Sequence, residues 1–392
     1  RIHKFLSAVA AMMLLGILLA ACGGATPAAP APTAAPAAAE PTAAPAAAAP
    51  TAAPAPTAMP EPTSVPAPTA MAEPTAAPAA TGEADKVTLQ LKWVAQAQFA
   101  GYYAALQQGY YKDENLDVTI RPGGPDIVPE QVVAGQQAEF GLDWLASLLA
   151  VREQGTPLVN IAQVFTYAGM RELSWKDSNI KTPADWKGKK VAVWFGGNEY
   201  NLLATLAKYN LDKDKDVQLI QQPFDMNLLL NKEVDAAAAM TYNELYQVLS
   251  AGHKIDELNI VDFNKEETAM PEDGIFARAD WLEDPKNKDI AARFLRASFK
   301  GWEYCRDNVD ACVDIMVKND APGGKDAQKW QMTEINKLIW GDPINKDTKI
   351  GYMDPALFKR GAETALKFGV IKKAADDSAY THEIWDLATG KK

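Results

Sequence analysis

The chain of 392 residues contains only three histidines and three cysteines. No HExxH, CxxC or histidine cluster occurs, so a transition-metal site has little support. The patterns GxxxxGK[ST] and GxSxG are also missing, which argues against nucleotide hydrolysis and serine-type hydrolysis by this chain. We therefore expect no catalytic residue, no metal and no cofactor.

Two of the cysteines, Cys305 and Cys312, fall in the helical stretch IAARFLRASFKGWEYCRDNVDACVDIMV. Seven residues on one continuous helix rise roughly 10 Å, which is farther than a disulfide reaches. We expect these two cysteines to be packing residues or free thiols.

The chain also has no excess of basic residues, and its formal net charge is -11. Nucleic-acid phosphates would be repelled by an acidic surface of this kind. The acidic residues are scattered along the chain, which is typical of a soluble surface. We expect no nucleic-acid partner and a monomeric protein.

The N-terminus, in contrast, is rich in apolar residues and reads RIHKFLSAVAAMMLLGILLAACGG. Basic residues, an apolar run and small residues in that order indicate a secretory signal peptide, and the missing initial Met indicates that the signal extends beyond Arg1. The run is also close to the ~20 apolar residues of a membrane helix. The ending Leu19-Ala20-Ala21-Cys22 resembles the lipobox of bacterial lipoproteins, which implies a signal over 1–21 and a lipid on Cys22. Alternatively, Cys22 is one more small residue after the signal.

Residues 22–84 consist almost entirely of Ala, Pro and Thr and hold more than half of the 26 prolines. Proline at this density favours extended segments without a packed core. The repeated PTAAPAAA pattern is low in complexity and does not indicate a folded repeat. We predict a tether that holds a globular part away from a membrane.

The globular part alternates strand-like and helix-like patterns, beginning with VTLQLKW, GYYAALQQGYYKDE and LDVTIRP. This alternation indicates βαβ units and an α/β fold with largely parallel sheets. The pattern restarts near KTPADWKGKKVAVWF, which predicts a second lobe. We predict lobe 1 over 85–175, lobe 2 over 181–264, and a return to lobe 1 with C-terminal helices over 274–392. The segments 174–181 and 263–274 would cross between the lobes.

The phrase LKWVAQAQFAGYYAALQQGYYKDENLDVTI resembles the opening of the NMT1/THI5-like family of substrate-binding proteins of ABC importers. AEFGLDWLASLLAVREQGTPLVNIAQVF, TPADWKGKKVAVWFGGNE and EVDAAAAMTYNELYQVLSAG fit the same family in order. The resemblance implies a two-lobed periplasmic-binding-protein fold of type II, with a mostly parallel sheet in each lobe. It also implies a ligand cleft between the lobes, an ABC permease with its ATPase subunit as partners, and a lipid-anchored location on the extracytoplasmic face of the cell membrane.

In open α/β sheets, ligands bind beyond the carboxyl ends of the strands. Aromatic and amide side chains follow the predicted strands at these positions and would offer ring faces and hydrogen bonds to a flat heteroaromatic ligand. The candidate ligand-binding residues are Trp93, Gln96, Gln98, Tyr102, Asp143, Trp144, Tyr167, Trp194, Asn198, Glu199, Tyr242, Asn243 and Glu244. Gly196-Gly197 would form a tight turn after its strand, or else approach an anion. Each aromatic has the alternative role of core packing.

The resemblance narrows the ligand to vitamin-type compounds. The QAQFAGYY segment and the Ala/Pro-rich tether resemble riboflavin-binding members of the family, so riboflavin is the first expectation and a thiamine pyrimidine precursor the second. An enzymatic branch, the pyrimidine synthases, uses a His where this chain has Phe99, together with a cysteine-rich motif that this chain lacks. A tethered surface sensor without a permease is a third hypothesis.

Overall fold

The computed structural model describes residues 82–390. The predictions for the signal peptide, for Cys22 and for nearly all of the tether lie outside this range. In the part described, no helix is long and apolar enough to cross a membrane.

The strands are β1 (Asp85–Gln90), β2 (Leu116–Arg121), β3 (Phe140–Asp143), β4 (Leu158–Gln163), β5 (Met170–Trp175), β6 (Lys190–Val193), β7 (Gln218–Gln221), β8 (Ala236–Met240), β9 (Leu258–Asp262) and β10 (Gly274–Arg278). The α-helices are α1 (Ala100–Gln107), α2 (Tyr110–Asp113), α3 (Pro129–Ala134), α4 (Leu145–Glu153), α5 (Tyr200–Lys208), α6 (Asn227–Leu230), α7 (Glu244–Ser250), α8 (Pro285–Asp307), α9 (Val309–Lys318), α10 (Gly324–Trp340), α11 (Pro355–Lys367) and α12 (Glu383–Thr389).

Two separate sheets confirm the two-lobed α/β fold. The first has the order β2-β1-β3-β10-β4 and the second β7-β6-β8-β5-β9. In the first, β1 is parallel to β2 and β3, whereas β10 is antiparallel to β3 and β4. In the second, β6 is parallel to β7 and β8, whereas β5 is antiparallel to β8 and β9. Each sheet is thus mixed but mostly parallel, as predicted: four strands share one direction, and β10 or β5 runs against them.

The antiparallel strands are the ones that enter a lobe directly after a crossing. β5 is the first strand of lobe 2, and β10 is the first strand after the chain returns to lobe 1. The parallel strands direct their carboxyl ends toward the crossing side, so a strand that starts there must run in the opposite direction. The first crossing therefore lies at 164–169, upstream of the predicted 174–181, because 170–175 already belongs to the second sheet. The second crossing, at 263–273, lies in the predicted segment.

Helices from the C-terminal part cover lobe 1, with α8 and α9 against α1, and α12 against α8. α1 approaches α8 closely because both helices carry a glycine at the crossing. A Cβ at Gly101 would collide with the Trp302 ring, and a Cβ at Gly301 would collide with the Gly101 carbonyl oxygen. This close packing explains the small residues of the AGYYAA segment.

The structure contradicts the predicted free thiols, because Cys305 and Cys312 form a disulfide with a Cα–Cα distance of 5.4 Å. The continuous helix on which the prediction depended is interrupted at Asn308, where φ is -133° and ψ is 58°. The Asn308 side chain donates to the Tyr304 carbonyl oxygen at 3.0 Å, a local bond that competes with helix continuation. The resulting turn brings the last cysteine of α8 next to the first turn of α9.

Candidate functional site

A cavity lies between the lobes, where loops that follow β1, β3, β6 and β8 meet. Its empty volume, including its mouth, is about 320 Å³. We call it the inner cavity; its lining residues are Lys92, Trp93, Gln96, Gln98, Trp144, Trp194, Asn198, Met240, Tyr242 and Glu244. Ligands of open α/β sheets bind beyond the carboxyl ends of parallel strands, which makes this cavity the candidate site.

Aromatic rings from both lobes form much of the wall. Trp93 of lobe 1 packs edge-on against Trp194 of lobe 2, with ring centroids 6.3 Å apart and an interplanar angle of 67°. On its other side Trp93 contacts Phe224 of lobe 2 at 5.0 Å. The Trp194 indole nitrogen donates to the Pro223 carbonyl oxygen at 2.9 Å, which fixes the ring. Trp93 is only half-buried, so it is the ring best placed to move aside for a ligand.

A buried ion pair lies at the lobe 1 side of the cavity. Lys92 Nζ is 2.5 Å from Asp143 Oδ1 and 5.3 Å from the centroid of the Trp144 ring. Burial opposes the charge of Lys92, but the adjacent Asp143 carboxylate outweighs this cost and raises the pKa of Lys92. Burial, reinforced by the Asp143 charge, raises the pKa of neighbouring Glu130 well above its ordinary value. The Lys92 ammonium thus lies beside a buried carboxyl group, Glu130, whose surroundings favour its neutral form.

Glu244 supplies a carboxyl group from lobe 2 at the start of α7. Its Oε2 accepts from the Met240 backbone N–H at 3.0 Å, and its Oε1 accepts from Asn243 Nδ2 at 2.6 Å. Burial raises the pKa of Glu244 to about 7, although these hydrogen bonds favour the ionised form. Each oxygen has a second lone pair, so the group can still accept hydrogen bonds from a ligand.

Two amides complete the polar wall of lobe 1. Gln96 Nε2 donates to Gln98 Oε1 at 2.8 Å, and Gln98 Nε2 donates to Asp273 Oδ2 at 2.7 Å. Asp273 belongs to the second crossing and also accepts from the Trp144 indole nitrogen at 3.1 Å. The neighbouring Glu272 accepts from the Gly169 and Met170 backbone N–H groups at 2.7 and 3.1 Å. Residues 272 and 273 thus connect the two crossings to the cavity wall.

The Gly196-Gly197 turn forms the lobe 2 rim. Both glycines have positive φ, 93° and 119°, which a side chain would strain. A Cβ at Gly197 would also collide with the Ser147 side chain of lobe 1. The two glycines therefore make the tight turn that the sequence predicts, and they permit the lobes to touch.

Eight of the predicted site residues line the inner cavity, and five do not. Tyr102 is buried on α1 and packs edge-on against Trp302 at 5.5 Å. Tyr167 is 56% exposed and lines a different surface space, so the structure does not bring it to the inner cavity. Asp143 lies behind Lys92. Glu199 accepts from the Gly197 N–H at 2.7 Å and so stabilises the turn.

Asn243, the fifth of these residues, lines a second space. This outer groove, of about 1350 Å³, shares Trp93 and Gln96 with the inner cavity. Its other lining residues are Val94, Ala95, Phe224, Asn243, Tyr246, Gln247, Ser250, Asp320, Pro322, Gly323 and Ala327. Asn243 Oδ1 accepts from Gln331 Nε2 at 3.0 Å, so the amide is held between the lobes.

The sequence reasoning missed Lys92, Met240 and Asp273. Lys92 directly precedes Trp93 after β1, and Met240 ends the apolar run of β8, so their positions beyond strands were a usable signal. Asp273 gave no such signal, because it precedes its strand and reaches the wall through a contact with Gln98, 175 residues away in sequence. Among residues 82–390, no group of three or more His, Cys, Asp or Glu side chains is arranged to hold a metal ion.

Two lobes, two crossings between them and a cavity beyond the strand ends define the periplasmic-binding-protein fold. The ligand-binding component of an ABC-type import system from Staphylococcus aureus has the same fold, with a TM-score of 0.58, 9% identity, and coverage of 78% of this chain and 99% of that one. An alkanesulfonate-binding protein from Xanthomonas axonopodis, bound to MOPS, gives a TM-score of 0.57 at 13% identity, over 77% and 99% of the two chains. The defining pattern of the NMT1/THI5-like family matches residues 96–311, more than half of the chain. The protein belongs to that family, as the sequence resemblance predicts.

Three relatives of known name cover most of the globular part. A Haemophilus influenzae protein that carries the name of a thiamine biosynthesis protein by similarity is 25% identical over 76% of this chain and 92% of its own length. The formylaminopyrimidine-binding protein of Halalkalibacterium halodurans is 25% identical over 60% and 71%. The riboflavin-binding protein RibY of Chloroflexus aurantiacus is 23% identical over 76% and 85%. A pyrimidine phosphate synthase of Candida albicans matches a shorter piece, 36% identical over 20% of this chain and 24% of that protein.

Proposed function

We propose that this protein is the extracytoplasmic solute-binding component of an ABC importer and that it captures a flat nitrogen-containing heteroaromatic compound. The observation that carries the proposal is the inner cavity, which has indole faces from both lobes and buried carboxyl and amide oxygens between them. Ring faces give affinity by stacking, and fixed acceptors give orientation. The lobes would close on the ligand, and the closed form would dock on a permease with its ATPase subunit.

The compartment proposed for this activity has two sources of support. The lipobox-like Cys22 and the Pro-rich tether suit a protein that is anchored by lipid on the outer face of the cell membrane. The buried disulfide between Cys305 and Cys312 suits an oxidising compartment outside the cytoplasm.

The size of the cavity bears on which heteroaromatic ligand is bound. In this structure the inner cavity is nearly closed, with only about 20 Å³ of space for a water-sized sphere, so any heteroaromatic ligand requires the lobes to open. A single substituted pyrimidine ring, as in a thiamine precursor, would require a smaller opening than riboflavin. Riboflavin, with three fused rings and a polyol tail, would also need the outer groove, whose amides at Asn243 and Gln247 suit hydroxyl groups. Relatives of both kinds, a formylaminopyrimidine-binding protein and a riboflavin-binding protein, support keeping both ligands as candidates.

The synthase hypothesis receives little support from the described part of the chain. Phe99, which replaces the histidine of that branch, is fully buried. His253 packs against Trp175 in lobe 2, and His382 stacks on Tyr352. Neither histidine lines the inner cavity, so a binding role is the better account of the site.

Isothermal titration of ligand-stripped protein tests the proposal. A thiamine-type aminopyrimidine, riboflavin and a simple alkanesulfonate are titrated side by side. We expect saturable one-to-one binding of a heteroaromatic and no comparable binding of the sulfonate. Tyr167→Ala is the matched control, because that ring is exposed outside the cavity and its loss should leave binding unchanged. A folded protein that binds neither heteroaromatic contradicts the proposed ligand class.

A further inference from the structure

The hydrogen bonds of Gln96, Gln98 and Asp273 run in one direction, from the cavity wall to a carboxylate behind it. Gln96 and Gln98 line the inner cavity, and Asp273 lies behind them, 3% exposed. Each amide donates away from the cavity, Gln96 to Gln98 and Gln98 to Asp273. At the cavity end, Gln96 Oε1 is buried and has no hydrogen-bond partner within residues 82–390.

The chemistry of Asp273 determines this direction. An ionised carboxylate accepts hydrogen bonds and donates none, so Gln98 must turn its NH2 group toward Asp273. The Gln98 oxygen then faces Gln96 and takes the Gln96 NH2 group. Burial raises the pKa of Asp273 to about 6. The rise is limited by the hydrogen bonds from Gln98 and Trp144 and by the charge of Lys92. Asp273 is therefore mostly ionised at neutral pH and above.

We infer that Asp273, without touching the ligand, makes Gln96 an acceptor and so selects ligands that direct an N–H or O–H group at Gln96 Oε1. The inference rests on the proposed function, because it specifies the ligands of the same cavity. Glu244, which lines the cavity from lobe 2, reinforces it when ionised, above its pKa of about 7, because a carboxylate only accepts hydrogen bonds. Asp273 is a positioning residue: it acts through the orientation of two amides.

The substitution Asp273→Asn should reverse the direction. The Trp144 indole N–H donates to Asp273 Oδ1 and would keep the oxygen of the new amide on its own side. The NH2 group of that amide would then face Gln98 and donate to its oxygen. Gln98 would in turn donate to Gln96 Oε1, and Gln96 would present its NH2 group to the ligand. One isosteric change thus converts the acceptor at the cavity wall into a donor.

The test measures the Kd values of two probes, 4-amino-2-methylpyrimidine and 4-methoxy-2-methylpyrimidine, with riboflavin as a third ligand. The first two share a ring, and the second replaces the amino donor with an ether acceptor. Leaving one buried polar atom unpaired weakens binding by roughly 5- to 150-fold. We expect the wild-type protein to prefer the amino probe by a factor in that range, and Asp273→Asn to prefer the methoxy probe. A reversed preference also distinguishes hydrogen bonding from steric exclusion of the methoxy methyl group, because the isosteric change would leave a steric preference as it was.

Gln98→Met is the second variant and keeps the test decisive if Asp273→Asn fails to fold. It disconnects Gln96 from Asp273, so the Gln96 amide can rotate and the two probes should bind about equally. An unchanged preference for the amino probe in either folded variant overturns the inference, as does equal binding of both probes by the wild type. Binding of riboflavin with neither pyrimidine also overturns it, whereas binding of none of the three contradicts the proposed function itself.

Discussion

Replacing Trp93 with alanine is expected to weaken ligand binding while leaving the protein folded. Trp93 is half-buried and lies between Trp194 and Phe224, which belong to the opposite lobe. It lines both the inner cavity and the outer groove. A heteroaromatic ring that enters the inner cavity must therefore pass or stack on this indole.

The magnitude follows from stacking energies. A base-like ring on an aromatic side chain contributes roughly 1–3 kcal/mol, so Trp93→Ala should raise Kd by roughly 5- to 150-fold. Stability should fall less than for a core tryptophan, because Trp93 is only partly buried; its two ring contacts are each worth about 0.5–1.5 kcal/mol beyond area burial. Trp194 is a poorer choice, since its ring is 3% exposed and its removal would leave a cavity in the core.

The assay is isothermal titration with the tightest ligand found for the wild type, together with a thermal melt of each variant. Phe224→Ala is the matched control. Phe224 packs on Trp93 and is 48% exposed, but it does not line the inner cavity. For a ligand confined to the inner cavity, the control should change Kd by no more than about threefold, since Phe224 lines only the outer groove and offers such a ligand no ring face. A folded Trp93→Ala variant that binds as tightly as the wild type would refute the stacking role.

Three further predictions concern other parts of the chain. Burial raises the pKa of Glu172 well above its ordinary value, and neither carboxyl oxygen has a hydrogen-bond partner in the described range. Because the pKa of Glu172 is higher in the folded than in the unfolded protein, its contribution to stability is complete below about pH 4.5 and declines as the pH rises. The Tm should therefore fall between pH 5 and pH 8, and Glu172→Gln should reduce that fall, whereas the control Glu363→Gln at an exposed position should not. An equal fall of Tm with pH in the wild type and in Glu172→Gln would contradict this prediction. Cys22→Ser should give unprocessed or released protein, and normal processing with membrane retention would argue against the lipid anchor. A chain that begins at Asp85 should melt and bind ligand like the longer chain, since Ala, Pro and Thr offer little to pack; a large drop in Tm would rule out the tether.

The sequence was sufficient to predict the fold class and the general position of the cavity. Strand and helix periodicity locates the strand ends, and Trp93, Trp144 and Trp194 follow β1, β3 and β6 and line the cavity together. Their role in ligand binding stays a prediction until it is measured.

Periodicity does not show which way a side chain near a strand end points. Tyr102 packs on Trp302 because Gly101 and Gly301 bring two helices together, a contact across some 200 residues of sequence. The disulfide was missed because a single side-chain bond at Asn308 ends a helix that its composition would continue. Likewise, the pairing of Lys92 with Asp143 depends on the adjacency of β1 and β3 in the sheet. The Tyr102 and Lys92 contacts depend on tertiary structure, which a single sequence does not specify, whereas the break at Asn308 is local but is not indicated by composition.

The central claim is tested most directly by a crystal structure of the protein that has been stripped of endogenous ligand and then crystallised with the tightest-binding heteroaromatic. We predict that the ligand ring lies in the inner cavity against Trp93 and Trp194, with N–H donors directed at Gln96 Oε1 and the Glu244 carboxylate. Electron density for the ligand elsewhere on the protein, with the inner cavity unchanged, would contradict the account.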